Sequence, residues 1–433
     1  MIKRLSGIAL LMGVLPVTAL AFPSYQPLGP VLGYGNVSIP QELLTLTQNP
    51  AAPAAAHGDK GYRLHSALSL NTGISFEQGN LGAAQDEFDA LNAYDLSNIQ
   101  PTEINAIATD LNSFFSAFSD SFLLKTNLGT SVPLFPLITG TSNFGSVYLS
   151  ADFTSQFSAR YLDTPVQISG PTSIGVTGAL YAKAAYRGDL ALGYSRRLMQ
   201  TSFGELYLGG RYTMYSVGTN KTLAAVSVDV ATNTVTDSIP SNLDFATTTA
   251  SDFDLGVMLK ADKYQAGLTL ANLTSASFAY PTIGQNCASL PTQEEIDACY
   301  IAVAHSDEIS LSETHVMTPQ LRSEGAILGA GGNFIVAASL DLNAINDMLG
   351  DPVQYLTLSS AYAIKGWGGL LVPRFRMGLR KNLVGSGLTE LNIGLSLFKI
   401  LTLDVAQSTN TTTFEGSTMP RSLRVNLGIG FNF

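Results

Sequence analysis

The chain has 433 residues and a formal net charge of −10, and only 13% of its residues are charged, whereas soluble domains usually carry about 25%. The acidic balance argues against nucleic-acid binding, because neutralising phosphates needs clustered Lys and Arg. The 40 Gly, 17 Tyr and 21 Phe make this a weakly charged chain rich in glycine and aromatic residues, which is not typical of a cytoplasmic enzyme.

The first 21 residues have the pattern of a signal peptide. Lys3 and Arg4 give a positive start, residues 5–17 are mostly apolar, and residues 19–21 are a small-residue cleavage site. An uncleaved anchor helix is the alternative. No later apolar run reaches the ~18 residues that a membrane-spanning helix needs, so the sequence predicts either a secreted protein or an outer-membrane barrel.

Residues 22–60 precede the first predicted strand and are rich in Pro and Gly. This segment contains the element Asn49, Pro50, Ala51 and Ala52. It is too short for a domain. We expect it either to plug the lumen of a barrel or to trail in the periplasm.

Apolar and polar residues alternate along most of the remaining chain, residues 61–433, which is typical of strands with one lipid face and one lumen face. A two-residue turn at 262–263 connects segments of opposite parity, as a hairpin requires. The alternation predicts an all-β, transmembrane antiparallel barrel of about fourteen strands, within a range of twelve to sixteen. The predicted strands lie near 62–77, 145–161, 174–187, 189–198, 204–217, 251–261, 264–273, 314–328, 333–343, 354–364, 370–382, 388–397, 400–407 and 422–433.

The predicted connections differ in length at the two ends of this barrel. If the last strand ends in the periplasm, the short connections fall on the periplasmic side and the long ones outside, as in bacterial barrels. Residues 162–173 are the exception, since this predicted inner turn is too long. Arg187, Gly188 and Asp189 are interpreted as a tight connection between two strands rather than as an adhesion motif.

Residues 80–122 interrupt the strand pattern. Apolar residues recur at helical spacing after a start signal at 101–103, so we expect a small helical insert. The insert carries seven carboxylates and no Lys or Arg. It is either a lid or partner-docking arm, or a helical pair that closes its own small core.

Few residues in the sequence suggest chemistry. Cys287 and Cys299 lie in one long external loop and fit a structural disulfide in an oxidising compartment, while two thiols alone are a poor metal site. His305 lies beside Ser306 and Asp307, but contiguous residues rarely converge as a catalytic set. We therefore predict no enzyme activity, no cofactor and no metal.

Charged residues of both signs are predicted to face the lumen. Arg380 should lie directly across from Glu390 if residues 383–387 form a five-residue loop. We favour a network that rigidifies a packed or plugged lumen; the alternative is a cationic ledge of Arg374 and Arg376 that binds a carboxylate head group. The inward-facing set is Arg322, Glu324, Arg374, Arg376, Arg380, Glu390, Arg424, Asp252, Asp254 and Asp341.

The last strand alternates without a fault from Leu423 to Phe433, with Phe431 also on its apolar face. Its eleven residues match the ~9–11 that cross a bilayer as a tilted strand. A terminal Phe on such a strand resembles the signal by which outer-membrane barrels are recognised for insertion. We therefore expect the barrel-assembly machinery to be a partner during biogenesis.

These features together resemble the FadL-like barrels of Gram-negative bacteria. The resemblance rests on the Asn49–Ala52 element, on a central hairpin with Asp254, Gly256 and Gly267, and on the terminal Phe. Within that superfamily the chain is most similar to the TraF-like proteins labelled as conjugal-transfer TraF. The resemblance implies a 14-stranded barrel, an N-terminal plug and, by analogy, passage of hydrophobic small molecules.

The sequence thus predicts a monomeric protein of the bacterial outer membrane, in contact with outer-membrane lipid, that admits hydrophobic or amphipathic small molecules. The alternative is a structural or assembly component of the envelope that transports nothing, such as part of a conjugation apparatus. Thioredoxin-like chemistry, which the TraF name also covers, would require a Cys-x-x-Cys motif that this sequence lacks.

Overall fold

A computed structural model describes residues 30–40, 42–57, 63–91, 100–141, 144–170, 173–229, 234–237, 244–329, 333–362, 374–398, 400–414 and 416–432. None of the helices in these ranges is long and apolar enough to cross a membrane. The predicted signal peptide, Phe433 and the side chain of Phe431 lie outside what the structure describes.

Antiparallel strands make up most of the described chain. The strands are β1 (Arg63–Gln78), β2 (Leu123–Ser131), β3 (Leu137–Thr141), β4 (Gly145–Asp163), β5 (Gln167–Gly170), β6 (Ser173–Thr201), β7 (Gly204–Asp229), β8 (Thr234–Asp237), β9 (Ala246–Lys260), β10 (Tyr264–Ala271), β11 (Ser277–Ala279), β12 (Thr314–Val316), β13 (Gln320–Gly329), β14 (Phe334–Asp341), β15 (Ile345–Asn346), β16 (Pro352–Val353), β17 (Tyr355–Tyr362), β18 (Arg374–Asn382), β19 (Thr389–Leu397), β20 (Leu401–Ser408), β21 (Thr411–Phe414), β22 (Ser417–Pro420) and β23 (Ser422–Asn432). The helices are α1 (Pro30–Tyr34), α2 (Ala52–His57), α3 (Gly82–Leu91), α4 (Ile104–Ser121) and α5 (Gln293–Ala304), with 3₁₀ turns at Leu43–Gln48 and Cys287–Ser289.

The large sheet closes into a barrel of fourteen wall positions. β2 and β3 share one position, because β1 pairs with both on one side and β4 pairs with both on the other. The order continues through β4, β6, β7, β9, β10, β13, β14, β17, β18, β19, β20 and β23, and β23 returns to β1 over eleven residue pairs. The prediction of a closed, fourteen-stranded antiparallel barrel is confirmed.

The strand prediction contains two errors, one missed wall position and one strand divided in two. These errors cancel in the count of strands. The wall position formed by β2 and β3 was missed, because Pro133 and Pro136 interrupt the alternation and proline cannot donate to a strand ladder. The segments 174–187 and 189–198 are one strand, β6, in which Gly188 pairs with Phe153 and Ser216. Gly188 forms no turn, because it lies within a continuous ladder.

The corrected strands also explain the long connection near 162–173. Once β2 and β3 are counted, this connection joins the end of the barrel that carries the long segments 79–122, 230–245, 272–319, 342–354 and 409–421. We call this the loop end. The opposite end, with short connections such as 202–203 and 261–263, is the turn end.

The outer face of the barrel is apolar over its middle. In β10, Leu268 is 48% exposed while its neighbour Thr269 is 4% exposed, and the same alternation runs through the other wall strands. Exposed aromatic rings surround the turn end at Phe144, Tyr194, Phe203, Tyr264, Phe334, Tyr362 and Phe398. An apolar band bordered by an aromatic girdle is the lipid-facing surface of an outer-membrane barrel.

The N-terminal segment lies inside this barrel. Residues 30–40 and 42–57, here called the plug, are almost wholly buried. One part packs Tyr34, Val37 and Ile39 against the β13, β14 and β17 wall. The other packs Leu43, Leu46 and the alanines of 51–55 against Ile138, Tyr148, Tyr207 and Met258 of the wall.

The loop end is closed by a second set of residues. Segments 272–319 and 342–354, here called the cap, pack Phe278, Tyr280 and Met348 against Tyr215 and Val217 of the lumen wall. Three basic wall residues bind the cap: Lys125 contacts Asp347 and Asp351, Lys183 lies 3.0 Å from Glu313, and Lys221 donates to the carbonyl of Ser310 at 2.8 Å.

Helices cover both faces of the long strands where these extend past the lipid band. α4 packs Leu111, Phe114 and Phe115 onto Tyr161 of β4 and Ile174 of β6, on the outer side of the wall. α5 packs on the inner side against Leu162, Ala179 and Ala225. The two helices α3 and α4 therefore lie within the predicted insert 80–122 and close a core against the wall as well as against each other.

Candidate functional site

The plug is held in the lumen by polar contacts around one wall carboxylate. Glu324 of β13 accepts hydrogen bonds from the backbone N–H of Ser38 at 2.5 Å and from the side-chain amide of Asn49 at 2.8 Å. The same Asn49 amide also donates to the carbonyls of Val257 and Leu268. Asn49 thus links the plug to three neighbouring wall strands, β9, β10 and β13.

Glycines in the wall make this close approach possible. A Cβ on Gly209 would lie 2.1 Å from the carbonyl oxygen of Pro50, and one on Gly256 would lie 2.2 Å from Asn49 Oδ1. A Cβ on Gly267 would meet the Asn49 amide at 2.7 Å. These three positions must stay free of side chains for the Asn49–Pro50 corner to dock, which gives the Gly256 and Gly267 motif a physical role.

A second anchor joins the plug to β18, three wall positions from β13. Glu42 contacts Arg374 and lies 3.7 Å from Arg376, whose guanidinium also makes a two-pronged pair with Asp404 at 3.0 Å. The side chains of Arg376 and Asp404 are fully buried. The suggested cationic ledge of Arg374 and Arg376 is therefore filled by carboxylates of the chain itself.

Between the plug and the cap lies a cavity of about 130 Å³. Its lining mixes charges of both signs with small and polar residues. The charged members are Asp152, Arg187, Asp189, Arg211, Asp254 and Arg322. Arg187 pairs with Asp189, Arg211 lies 2.6 Å from Asp254, and Arg322 donates to the plug carbonyl of Gln48.

The cavity reaches a break in the barrel wall. Ser131 and Pro136, which border the interruption between β2 and β3, both line it, as does Asn71 of β1. The ladder between β1 and its neighbour stops over β1 residues 67–71, since β2 pairs only from Thr72 onward and β3 only up to Ser66. Leu134, at the centre of the break, is 56% exposed and has a φ of +76°.

Residues 46–341 of the sequence match a protein family described as "F plasmid transfer operon, TraF, protein". The chain belongs to this family. A comparison with curated protein sequences finds no match. The predicted similarity to TraF-like proteins is confirmed.

The solved structures similar to this TraF-family barrel include two whose titles name a hydrocarbon channel or a toluene transporter. A deltaS2S3 mutant of TodX, a monoaromatic hydrocarbon channel, covers 93% of this chain and 98% of its own, with 10% identity and a TM-score of 0.45. The Pseudomonas putida toluene transporter TodX covers 96% and 99%, with 10% identity and a TM-score of 0.38. A Pseudomonas aeruginosa FadL homologue covers 95% and 99%, with 11% identity and a TM-score of 0.40. These similarities concern the barrel architecture alone.

The other predicted lumen charges of the TraF-family barrel hold its own backbone and side chains. Asp254 accepts from the Asn272 backbone N–H at 2.8 Å, and Asp252 accepts from Thr274 at 2.9 Å, so both fix the first residues of the cap. Asp341 accepts from the Tyr355 backbone N–H at 2.8 Å. These contacts fit the interpretation of a network in a plugged lumen.

The predicted register between β18 and β19 is confirmed, because Arg380 lies directly across from Glu390. The Arg380 guanidinium also lies 3.6 Å from the centre of the Tyr355 ring. Arg424 donates to Glu390 at 2.7 Å, and Ser422 does so at the same distance. Glu390 therefore binds two residues of β23, Ser422 and Arg424, which the sequence pattern did not indicate as its partners.

Two histidines, His305 and His315, lie in the cap. His305 contacts Glu308 at 2.9 Å and the carbonyl of Asp163 at 2.7 Å; burial lowers the pKa of His305, but these two contacts outweigh it and leave the pKa raised. Burial, together with Lys183 and Arg187, lowers the pKa of His315 to about 4. Both nitrogens of His305 are occupied at the end of α5, which fits a structural rather than a catalytic role.

The two cysteines, Cys287 and Cys299, form a disulfide with a Cα–Cα distance of 5.4 Å. It joins the 3₁₀ turn before α5 to the helix itself. α5 begins with a capping box in which Thr292 and Glu295 exchange hydrogen bonds. The described residues contain no group of three or more His, Cys, Asp or Glu that could hold a metal ion.

The alternation in the sequence indicates the wall charges of this site, but it does not indicate several of the residues that bind them. Glu42 and Asp404 were not singled out, although Asp404 alternates with the outward-facing Leu401 and Leu403 in a predicted strand. The role of Gly209 could not be seen, because a docking glycine is recognised only once the plug is in place.

Proposed function

We propose that this TraF-family barrel is a gated passage of the outer membrane for hydrophobic or amphipathic small molecules, with the plug as its gate. The observation that carries the proposal is the cavity between the plug and the cap, which reaches the break in the wall at residues 132–136. The break offers a route between the cavity and the apolar surroundings of the barrel.

Passage requires the plug to move. The cavity of about 130 Å³ is smaller than the roughly 300–1,000 Å³ of pockets that hold drug-sized ligands. A ligand therefore has to displace or reorder residues 42–57, which are held by the polar contacts of Asn49 and Glu42 and by apolar packing on the wall. Because the polar contacts lie at two separate anchors, a local change at either anchor can weaken the docking of the gate.

A reversible tether between plug and wall tests this proposal. The backbone N–H of Ala54 lies 3.0 Å from the Ser195 hydroxyl, so Ala54→Cys combined with Ser195→Cys brings two thiols within reach of a disulfide. We expect uptake of a fluorescent fatty acid to fall to the barrel-free background under oxidation and to recover on reduction. Each single variant, treated identically, controls for effects on the native disulfide Cys287–Cys299.

Two results of the tether experiment would contradict the proposal. If oxidised and reduced double variants take up the probe equally, and band shifts confirm that the tether has formed, the plug is not a gate. If the wild type exceeds cells without the barrel neither with this fatty acid nor with a fluorescent monoacylglycerol, the passage itself is wrong.

The second candidate is a structural or assembly component of the envelope that transports nothing. Family membership favours it, as does the exposed acidic face of the insert, where Asp86, Asp89, Glu103 and Asp120 point to solvent. Deleting residues 80–122 should then remove a protein partner from pull-downs while probe uptake stays at background for every variant. Retention of all partners by the deleted protein would count against this candidate.

A further inference from the structure

A stretch of the lumen wall carries buried amide side chains that have no hydrogen-bond partner among the described residues. Both polar atoms of Gln156, Asn392 and Asn426 lack one, as do the carbonyl oxygen of Asn127 and the hydroxyl of Thr154. We call these five residues the amide patch. Each is buried, with exposures of 1%, 2%, 1%, 5% and 6% respectively.

The register brings the amide patch together on adjoining strands. Asn127 of β2 lies directly across from Gln156 of β4, and Thr154 lies two residues further along β4. Asn426 of β23 lies across from Gly73 of β1, and Gly73 in turn lies across from Gly129 of β2. Asn392 is separated from β23 only by Ala406 of β20.

Thr154 connects the patch to the cavity, because it also lines the cavity beside the wall break. In the next row towards the loop end, Lys125 binds the cap at Asp347 and Asp351. The patch therefore lies on the lumen wall between the cavity and the cap.

A buried polar group without a partner is costly because its desolvation is not compensated, so several together on one patch indicate a surface built to bind something. The atoms on offer are uncharged donors and acceptors. Hydroxyl, ester and amide groups match them, since each amide can donate and accept at once.

Charge makes the same patch a poor site for a carboxylate. The nearby arginines face carboxylates of the chain: Arg187 binds Asp189, Arg376 binds Asp404, and Arg380 and Arg424 share Glu390. An added carboxylate would compete with these acids for the same cations. It would also lie near Asp152 and near the second oxygen of Glu390, which has no partner in the described part of the chain.

We infer that the passage selects amphipathic molecules with an uncharged, hydrogen-bonding head group, and that the amide patch recognises this head. The inference rests on the proposed passage and names its substrate class. A fatty acid and its glycerol ester share the acyl chain and differ in the head group alone, so this pair isolates the claim.

The test compares entry of radiolabelled monodecanoylglycerol and decanoate into cells that carry the barrel, with barrel-free cells subtracted. We expect the wild type to favour the glycerol ester. Gln156→Leu and Asn426→Leu should each reduce its entry about three- to tenfold, the effect of one lost hydrogen bond, and leave decanoate entry unchanged. Gln407→Leu, an exposed position on the outer face of β20, is the matched control and should change neither.

The unfolding temperature of the variants provides an independent test. Replacing an unpartnered buried amide by an apolar group of similar size removes a desolvation cost, so the two Leu variants should unfold at the same or a higher temperature than the wild type. A lower unfolding temperature would mean that the amides serve the structure, and would overturn the inference.

Failure of the inference and failure of the passage give different results. Equal entry of both probes, blocked in each case by the tether between residues 54 and 195, overturns the head-group selection and leaves the passage intact. Entry of neither probe above the barrel-free level overturns both.

Discussion

At the scale of single residues, the lumen is organised by carboxylates with defined partners. The alternation of apolar and polar residues was enough to predict that Glu324, Arg376 and Glu390 face inward, because side-chain direction in a strand follows from parity. Their partners were not predictable in the same way. Glu42 and Asn49 lie in a segment without any periodic pattern, so only its folded path brings them to the wall.

The Glu324 anchor can be removed without changing the shape of the side chain. The Ser38 N–H and the Asn49 amide bind different oxygens of Glu324, so the NH2 group of Glu324→Gln faces one of these two donors and loses that bond, at a cost of about 1.5–3 kcal/mol for a bond to a charged group. We expect hydrogen exchange in residues 42–57 to become at least tenfold faster. Glu390→Gln, a buried wall carboxylate that binds Ser422 and Arg424 instead of the plug, should leave that exchange unchanged.

The lipid-facing assignment predicts a dependence on depth within one strand. Leu268 and Tyr264 both face outward from β10, but Tyr264 belongs to the aromatic girdle at the turn end and Leu268 lies four residues further in. Leu268→Arg should cost about 2–4 kcal/mol, whereas Tyr264→Arg should cost about 0–1. Unfolding in urea, followed by the loss of heat-modifiable migration on gels, measures the difference; equal costs would mean that the lipid band is misplaced.

At the scale of elements, periodicity predicted most strands and failed where proline and glycine occur. β2 and β3 were missed because residues 132–136 combine Pro133 and Pro136 with a break in pairing. β6 was divided because Gly188 was taken for a turn, although neighbours on both sides supply a ladder. The helices of the insert were predictable, since α4 has a strong apolar stripe, but the outer wall face on which it packs was not.

The cap contains an element whose stability should depend on pH. His315 of β12 has a pKa lowered from 6.5 to about 4 by burial and by Lys183 and Arg187, so the unfolded cap binds more protons than the folded cap between these values. Stability of the cap should therefore fall as the pH drops from about 6.5 towards 4, by at most about 3 kcal/mol. The raised pKa of His305 has the opposite sign, because its contribution is kept at low pH and lost as the pH rises.

Hydrogen exchange of residues 272–319 at pH 7 and pH 5 measures this dependence. The wild type should exchange faster at pH 5 once the intrinsic pH effect is corrected. His315→Gln keeps a polar side chain that does not titrate in this range and should abolish the faster exchange at pH 5, so that only the opposite dependence from His305 remains. Faster exchange at pH 5 that persists in this variant would assign the effect to another group.

At the scale of the whole molecule, the barrel is closed twice. The plug blocks the middle and the turn end, and the cap blocks the loop end through Lys125, Lys183 and Lys221. The ladder of the wall closes from β23 to β1 without passing through the plug or the cap, so we expect the strands to stay paired when either closure is altered. The two closures therefore control different routes: the plug controls the cavity and the wall break, whereas the cap controls the path along the barrel axis.

This division predicts how two lesions combine. Deleting residues 39–56 should raise entry of a hydrophobic probe, because the wall break then communicates with an enlarged lumen. It should not raise ion conductance in a planar bilayer, since the cap still fills the mouth. Conductance should appear only when the deletion is combined with Lys125→Met and Lys183→Met, which remove two of the basic residues that hold the cap.

Lys381→Met, in a wall strand but on the exposed face of β18, is the matched substitution and should leave the deleted barrel closed to ions. Large currents from the plug deletion alone would show that the cap does not seal the axis, and the separation of the two routes would have to be abandoned.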